Sequence, residues 1–223
     1  SQTIYIHKSD VSENLQSNYS LSLADALSMQ MKASPQTDVG SKWVNATRDQ
    51  VLYYLNPNNF LVNTEAYLQF LVLSSPAGTD INEVNRNILY NKGVLHNQAA
   101  SFKEAANKYN INEIYLISHA LLETGNGTSA LAKGIKYNGV TVYNCYGVGA
   151  LDEDPDGKGA EYAYKQGWTT IEKAIIGGAK FVAQNYIHAG QDTLYKMRWN
   201  PLAMAKYGYA NHQYATDIGY WYL

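Results

Sequence analysis

The sequence predicts an α+β fold: a mainly helical body interrupted by one small β-containing lobe. Three observations carry that prediction. Apolar residues recur at helical spacing along most of the chain, most densely over 111–129 and 168–186. Serine before Leu23 and aspartate at Asp80 stand where helices should begin, and glycine where helices should stop. Only the stretch after Gly134 changes character, to β-branched and aromatic residues punctuated by glycine.

Taken in order, T-I-Y-I-H at Thr3 to His7 alternates like a short strand or an extended arm. Ser22 to Met31 reads as a helix with serine available as its cap. Pro35 to Gly40 is expected to be a loop. Ala46 to Leu55 and Glu65 to Leu73 are two more helices, divided by the turn-rich N-P-N-N of Asn56 to Asn59. Ser75, Pro76 and Gly78 break the chain again. Asp80 then caps I-N-E-V-N-R-N-I-L-Y, which ends at Gly93. Phe102, Ala105, Ala106 and Tyr109 continue the helical spacing into the apolar run that begins at Ile111. Val140 to Ala150 suggests a hairpin or small sheet, followed by an acidic loop over Asp152 to Asp156 closed by Gly157 and Gly159. Trp168 to Tyr186 is a second strong helix with Trp168, Ile171, Ile175, Gly178 and Val182 as its stripe. Gly177 and Gly178 would let another helix approach it.

At 223 residues the chain suits one large domain or a domain with an accessory lobe, and its 46% hydrophobic content can fill a core. Seventeen basic against 19 acidic residues leave a net charge of −2, which carries no nucleic-acid signature. No segment reaches the length of a membrane span. Twenty tyrosines and four tryptophans beside four phenylalanines supply amphipathic rings suited to sugar stacking, or equally to the rim of a small core. The single cysteine, Cys145, excludes an intrachain disulfide and a multi-cysteine metal site. The start at Ser1 is read as a processed or trimmed form, with any leader or anchor upstream.

One acidic residue stands out. Ile114, Tyr115, Leu116, Ile117, Ala120, Leu121 and Leu122 leave almost no polar face, so their helix should be buried nearly all round. Gly125, Asn126 and Gly127 stop it. Glu123 therefore falls in the last turn, at the negative end of the helix dipole and among apolar neighbours. Both effects favour the protonated carboxyl, the state from which a general acid works. The alternative is a surface carboxylate that merely follows a buried helix. His119, four residues earlier on the same face, could form half of a metal site, but a packed, hydrogen-bonded histidine suits it better because no third ligand stands nearby.

The segments S-H-A-L-L-E-T-G-N-G-T-S, N-C-Y-G-V-G-A, A-I-I-G-G-A-K-F, T-L-Y-K-M-R-W-N-P and H-Q-Y-A-T-D follow one another in an order and spacing that resemble glycoside hydrolase family 73. Within it the chain resembles most the membrane-anchored staphylococcal glucosaminidases. The resemblance runs from about Gly93 to Asp217. It implies a lysozyme-like fold in which a helical lobe and a small β-lobe flank a substrate cleft. The helical pattern before Gly93 adds an expected helical extension over 1–92, packed on a catalytic core over 93–223 with the β-lobe at about 138–165.

The activity implied is cleavage of the β-1,4 bond from N-acetylglucosamine to N-acetylmuramic acid in peptidoglycan, with Glu123 as general acid and no metal or cofactor. A second carboxylate is less defined. Glu161 and Asp154 are the candidates, with Asp152, Glu153, Asp156 and Asp217 behind them; an acidic run is otherwise a solvated turn, and the sugar's own acetamide could replace a protein nucleophile. Asn144, Tyr146 and Gly147 match the segment at the family's cleft wall, where an aromatic ring can stack on a pyranose, or else form a tight turn around a core aromatic. Gln213, Tyr214 and Asp217 match a motif that lines the cleft, with Tyr214 as a donor to the substrate or to water. Asn126 could position the acid or a sugar hydroxyl, although ending the helix already explains it. Tyr195, Met197, Arg198 and Trp199 read as structural, and Cys145 as a small buried residue rather than a nucleophile.

The partners implied are glycan strands and, through an upstream anchor, a membrane partner. The place implied is the outer face of the cell membrane or the cell wall, and the state a monomer. A muramidase or lytic transglycosylase, and a peptidoglycan-binding module without turnover, are the competing readings.

Overall fold

The computed structural model describes residues 18–150 and 154–220, and their contacts group into two compact units. One unit draws on 18–72 and 186–220; the other runs from Leu73 to Asn185. The Thr3–His7 strand, Asp152 and Glu153 lie outside the described residues.

The first unit begins with α1 (Leu23–Met31), whose cap Ser22 accepts from the Asp25 backbone N–H as expected. A hairpin of β1 (Gln36–Asp38) and β2 (Trp43–Asn45) follows, where a plain loop was expected over 35–40. The strand forms because its outer edge is also paired. The Gln36 N–H donates to Thr216 O, and the Ile218 N–H donates back to Gln36 O. That partner is 180 residues away in sequence and leaves no local trace. Helix α2 (Arg48–Leu55) carries a full capping box between Thr47 and Gln50. The expected helix over 65–73 is a 3₁₀ turn, Glu65–Phe70. Two short helices near the C-terminus, α9 (Leu194–Trp199) and α10 (Pro201–Tyr207), were not expected. Asn200, in the left-handed conformation, ends the first and caps the second, and Pro201 starts it. Leu27, Val51, Leu55, Trp199, Met204 and Ile218 form the core of this unit.

The second unit is a helical layer with one hairpin. Its helices are α3 (Ile81–Asn87), α4 (Ala99–Tyr109), α5 (Glu113–Glu123), α6 (Ala130–Lys133), α7 (Pro155–Gln166) and α8 (Ile171–Asn185). Helix α4 packs on α8, α5 and α3. Its Phe102, Ala105 and Ala106 join Ile111, Leu116, Ala120, Ile175 and Val182 in a fully buried core. The hairpin pairs β3 (Ile135–Tyr137) with β4 (Val140–Val142). Asn138 and Gly139 turn it, both at positive φ, as a two-residue hairpin loop requires.

The strand signal over 140–150 is therefore half right. Val140–Val142 is a strand, while 143–150 is an irregular loop. The expected acidic loop is corrected more fully. Asp154 caps α7 by accepting from Gly157 N–H, Pro155 occupies its first turn, and Asp156, Gly157, Gly159 and Glu161 lie within the helix. The two glycines disguised it. A Cβ at Gly159 would come 2.6 Å from Leu131 Cδ2, so a side chain there would need Leu131 to shift.

Candidate active site

Helix α5 places its side chains by periodicity. Asn112 caps it, accepting from Ile114 and Tyr115 N–H, and the Glu113 carboxylate anchors the incoming segment through Ala77 N–H, Thr79 N–H and the Thr79 hydroxyl. Tyr115, Leu116, Ile117, His119 and Ala120 are buried. The helix is not buried all round, however: Leu122 is 58% exposed, and the Glu123 side chain keeps 36% of its surface. The apolar enclosure expected around Glu123 is therefore only partial, and its side chain is partly open to solvent at the end of a helix buried on one face.

Two groups meet that carboxyl. On one side His119 Nε2 lies 3.5 Å from Glu123 Oε1, and the His119 ring, fully buried, has Tyr115 Oη 3.2 Å from its Nδ1. On the other side the 144–148 loop passes so close that a Cβ on Gly147 would come 3.1 Å from Glu123 Oε2. Gly147 also stands at φ +63, so glycine answers both the backbone and the approach.

That loop is held from within. The Asn144 amide donates to Val148 O and accepts from Tyr146 N–H, and the residue is buried. Tyr146 is buried too, its ring edge-on to His119 at 5.5 Å. A Cβ on Gly178 would stand 2.1 Å from Tyr146 Cδ2, and one on Gly177 would stand 2.0 Å from Trp168 Nε1. The glycine pair of α8 thus seats two aromatic rings rather than a neighbouring helix. Tyr146 takes the core-aromatic reading, and the sugar-stacking surface expected of it is not on offer.

The loop after α5 is clamped as tightly. Gly93 and Gly127, both at positive φ, press backbone to backbone, and Val94 N–H donates to Gly127 O. Asn126, at φ +60, accepts from Lys92 Nζ. The pairing of Tyr115 with His119, the Gly93–Gly127 contact and the seating of Tyr146 by Gly178 were not read from sequence. Only Tyr115 had a readable signal, standing at four-residue steps with His119 and Glu123.

Glu161 sits between Lys158 and Lys165 at 3.3 and 2.6 Å, and hydrogen bonds first from Lys165, then from Lys158, hold its carboxyl below the usual range. Asp154 is engaged as the α7 cap. Burial pushes the Cys145 thiol up to about 12, which keeps it out of nucleophilic chemistry. Among the described residues no group of three metal-ligating side chains occurs.

Gln213, Tyr214 and Asp217 belong to the other unit. Arg198, buried there, donates to the carbonyls of Asp217 and Thr216 and to Gln213 Oε1. Burial lowers its guanidinium to about 10, with Asp217 opposing. Gln213 also donates to Gln30 Oε1 and Trp199 O. Tyr214 packs on Tyr186 and Tyr220, and the Asp217 carboxylate accepts from Gly219 N–H.

The sequence profile of the glucosaminidase family, described as mannosyl-glycoprotein endo-beta-N-acetylglucosaminidase, matches residues 99–222. A Bacillus subtilis (strain 168) beta-N-acetylglucosaminidase is 58% identical over 183 residues, which cover 81% of this chain and 20% of that protein. A Staphylococcus aureus (strain MSSA476) bifunctional autolysin is 43% identical over 96% of this chain and 18% of its own length. The chain thus spans about a fifth of the curated relatives it matches. A catalytic glutamate-to-alanine mutant of S. aureus autolysin E, solved with the disaccharide NAG-NAM, superposes with TM-score 0.73 at 38% identity over 92% of this chain and 86% of that one.

Proposed function

The chain belongs to the glucosaminidase family, and from that premise we propose that it is a peptidoglycan hydrolase that cuts the β-1,4 bond from N-acetylglucosamine to N-acetylmuramic acid. The observation that carries the reading is the Glu123 carboxyl. The Glu123 side chain is partly exposed at the end of α5, backed by His119 and approached by Gly147, which has no Cβ. As general acid, Glu123 gives its proton to the glycosidic oxygen as the C1–O bond breaks and the bonding pair leaves with that oxygen. Water then adds to C1 and returns a proton to the carboxylate. The relative solved with NAG-NAM supports a glycan strand as substrate.

Asp154 caps a helix and Glu161 is held by two lysines, so each would have to leave a partner to serve as the second catalytic group. That favours the substrate's acetamide as internal nucleophile, with Tyr214 donating to the substrate or to water. Gly147 and Asn126 are proposed as backbone and polar contacts to sugar, with Gln213 and Asp217 as further ones and Asn144 as the residue that shapes the Gly147 turn. The same engagement of both carboxylates keeps a lytic transglycosylase as the second reading, because that reaction needs a single acid. The setting proposed is the cell wall or the outer face of the cell membrane, as a monomeric catalytic domain that an upstream anchor could bring to a membrane partner. No helix among the described residues is long and apolar enough to cross a membrane.

The test is mass spectrometry of purified peptidoglycan digested by the protein, reduced with borohydride, beside Glu123→Gln. Reduced N-acetylglucosamine ends that disappear in the variant are expected. Reduced N-acetylmuramic ends would make it a muramidase, anhydro ends a transglycosylase, and binding without cleavage a binding module.

A further inference from the structure

Tyr115, His119 and Glu123 stand at successive four-residue steps of α5, so their side chains stack along one face of one helix. Tyr115 Oη lies 3.2 Å from His119 Nδ1, and His119 Nε2 lies 3.5 Å from Glu123 Oε1. The imidazole is fully buried and has little freedom to turn, because Tyr146 lies edge-on to it and Gly178 backs Tyr146. The carboxyl's other oxygen, Oε2, faces the Cβ-less side of Gly147.

We propose that His119 is a positioning residue that selects which oxygen of Glu123 carries the transferred proton. A neutral imidazole has one N–H and one lone pair. In the proposed arrangement the Tyr115 hydroxyl donates to Nδ1, 3.2 Å away, which leaves the N–H on Nε2, the nitrogen 3.5 Å from Glu123 Oε1. An oxygen that accepts from His119 is the poorer place for the acid proton. The proton therefore sits on Oε2, on the side that the missing Gly147 side chain leaves open. After transfer the carboxylate still has the Nε2 N–H beside it, and His119 itself neither gains nor loses a proton. A separation of 3.5 Å is long for a hydrogen bond, but catalytic contacts commonly shorten when substrate closes the site.

This rests on Glu123 as the acid, so one experiment reads the histidine without turnover. In ¹⁵N NMR of the folded protein, the His119 signals, assigned by their loss in His119→Gln, should report the neutral Nε2–H tautomer, and Tyr115→Phe should mix the tautomers. An Nδ1–H tautomer or a charged ring in the wild type would overturn the proposal even if Glu123→Gln is inactive. Kinetics supply the second arm. His119→Leu should lower kcat roughly tenfold to a hundredfold, the range a hydrogen bond to a charged group spans, with KM little changed. His119→Gln, whose amide can place an N–H near the Nε2 position, should recover most of that loss, which a purely packing role would not predict. Equal activity losses in His119→Leu and His119→Gln, with both proteins folded by thermal melting, would overturn it; so would full activity of His119→Leu.

Discussion

Gly147 sets how near the 144–148 loop can come to the Glu123 carboxyl. Its φ of +63 and the 3.1 Å from a would-be Cβ to Oε2 make alanine costly in two ways. The backbone strain is about 1–2 kcal/mol. The methyl also crowds the oxygen proposed to deliver the proton. Gly147→Ala should therefore keep its fold by circular dichroism while kcat falls about tenfold or more, since small misplacements of reacting groups are amplified in rate. An unchanged kcat would mean that Oε2 does not work from that side. Cys145 gives a simpler case. Buried, with its thiol pushed up to about 12, it should resist iodoacetamide at pH 8 in the native protein and react fully in denaturant, read by intact mass. At this scale the sequence was informative about type and position, but less so about environment. The placement of Glu123 in the last turn of α5 was legible from helix periodicity and the Gly-Asn-Gly stop. Its 36% exposure was not, because exposure depends on what the fold leaves uncovered rather than on neighbours in the chain.

Helices with a sustained apolar period, such as α4, α5 and α8, were the legible elements. Ser22 and Asp80, read as caps, each accept from a backbone N–H in the first turn of their helix. Helix α7 escaped because Gly157 and Gly159 lower its propensity, and α9 and α10 because six- and seven-residue helices show too little periodicity. The Gly177–Gly178 pair was seen, but its purpose was not, since the rings it seats come from Trp168 and from the 144–148 loop. Gly178→Ala should overpack Tyr146 and lower stability by about 1–3 kcal/mol, measured by urea unfolding. Helix α5 is anchored at its start by Glu113, 1% exposed, which takes two backbone N–H groups and a hydroxyl. Burial alone would raise that carboxyl, yet the hydrogen bonds from Thr79 and Ala77 together outweigh it and hold it below the ordinary value. A folded value below the unfolded one stabilises the protein above the unfolded carboxyl range and loses that effect as pH falls through the folded value. Glu113→Gln should cost about 1–3 kcal/mol at pH 7. The gap to wild type should narrow as pH drops below about 4. A gap that widens in acid would show that the carboxylate is not what ties residues 77–79 to α5.

The two units differ in how the chain builds them. Residues 73–185 form one continuous segment with its own core around Phe102, Leu116 and Ile175. The other unit is assembled from 18–72 and 186–220, tied by Gln30 to Trp199 O, by Tyr195 Oη to Leu55 O and by the Gln36–Asp217 bridge. None of those ties was legible, because each joins residues more than a hundred positions apart. A continuous segment needs no distant partner to close its core, so 73–185 expressed alone should melt cooperatively and show dispersed amide signals. It retains Glu123, His119, Gly147 and the glycines that seat the loop. The family match nevertheless runs through 222, beyond this unit and across the H-Q-Y-A-T-D segment that Arg198 and Gln213 fasten. If that segment contributes to turnover, the folded fragment should bind glycan weakly and release no reduced N-acetylglucosamine ends from peptidoglycan. Full hydrolysis by the fragment would remove Tyr214, Gln213 and Asp217 from the chemistry and leave α5 and the Gly147 loop as the whole catalytic apparatus.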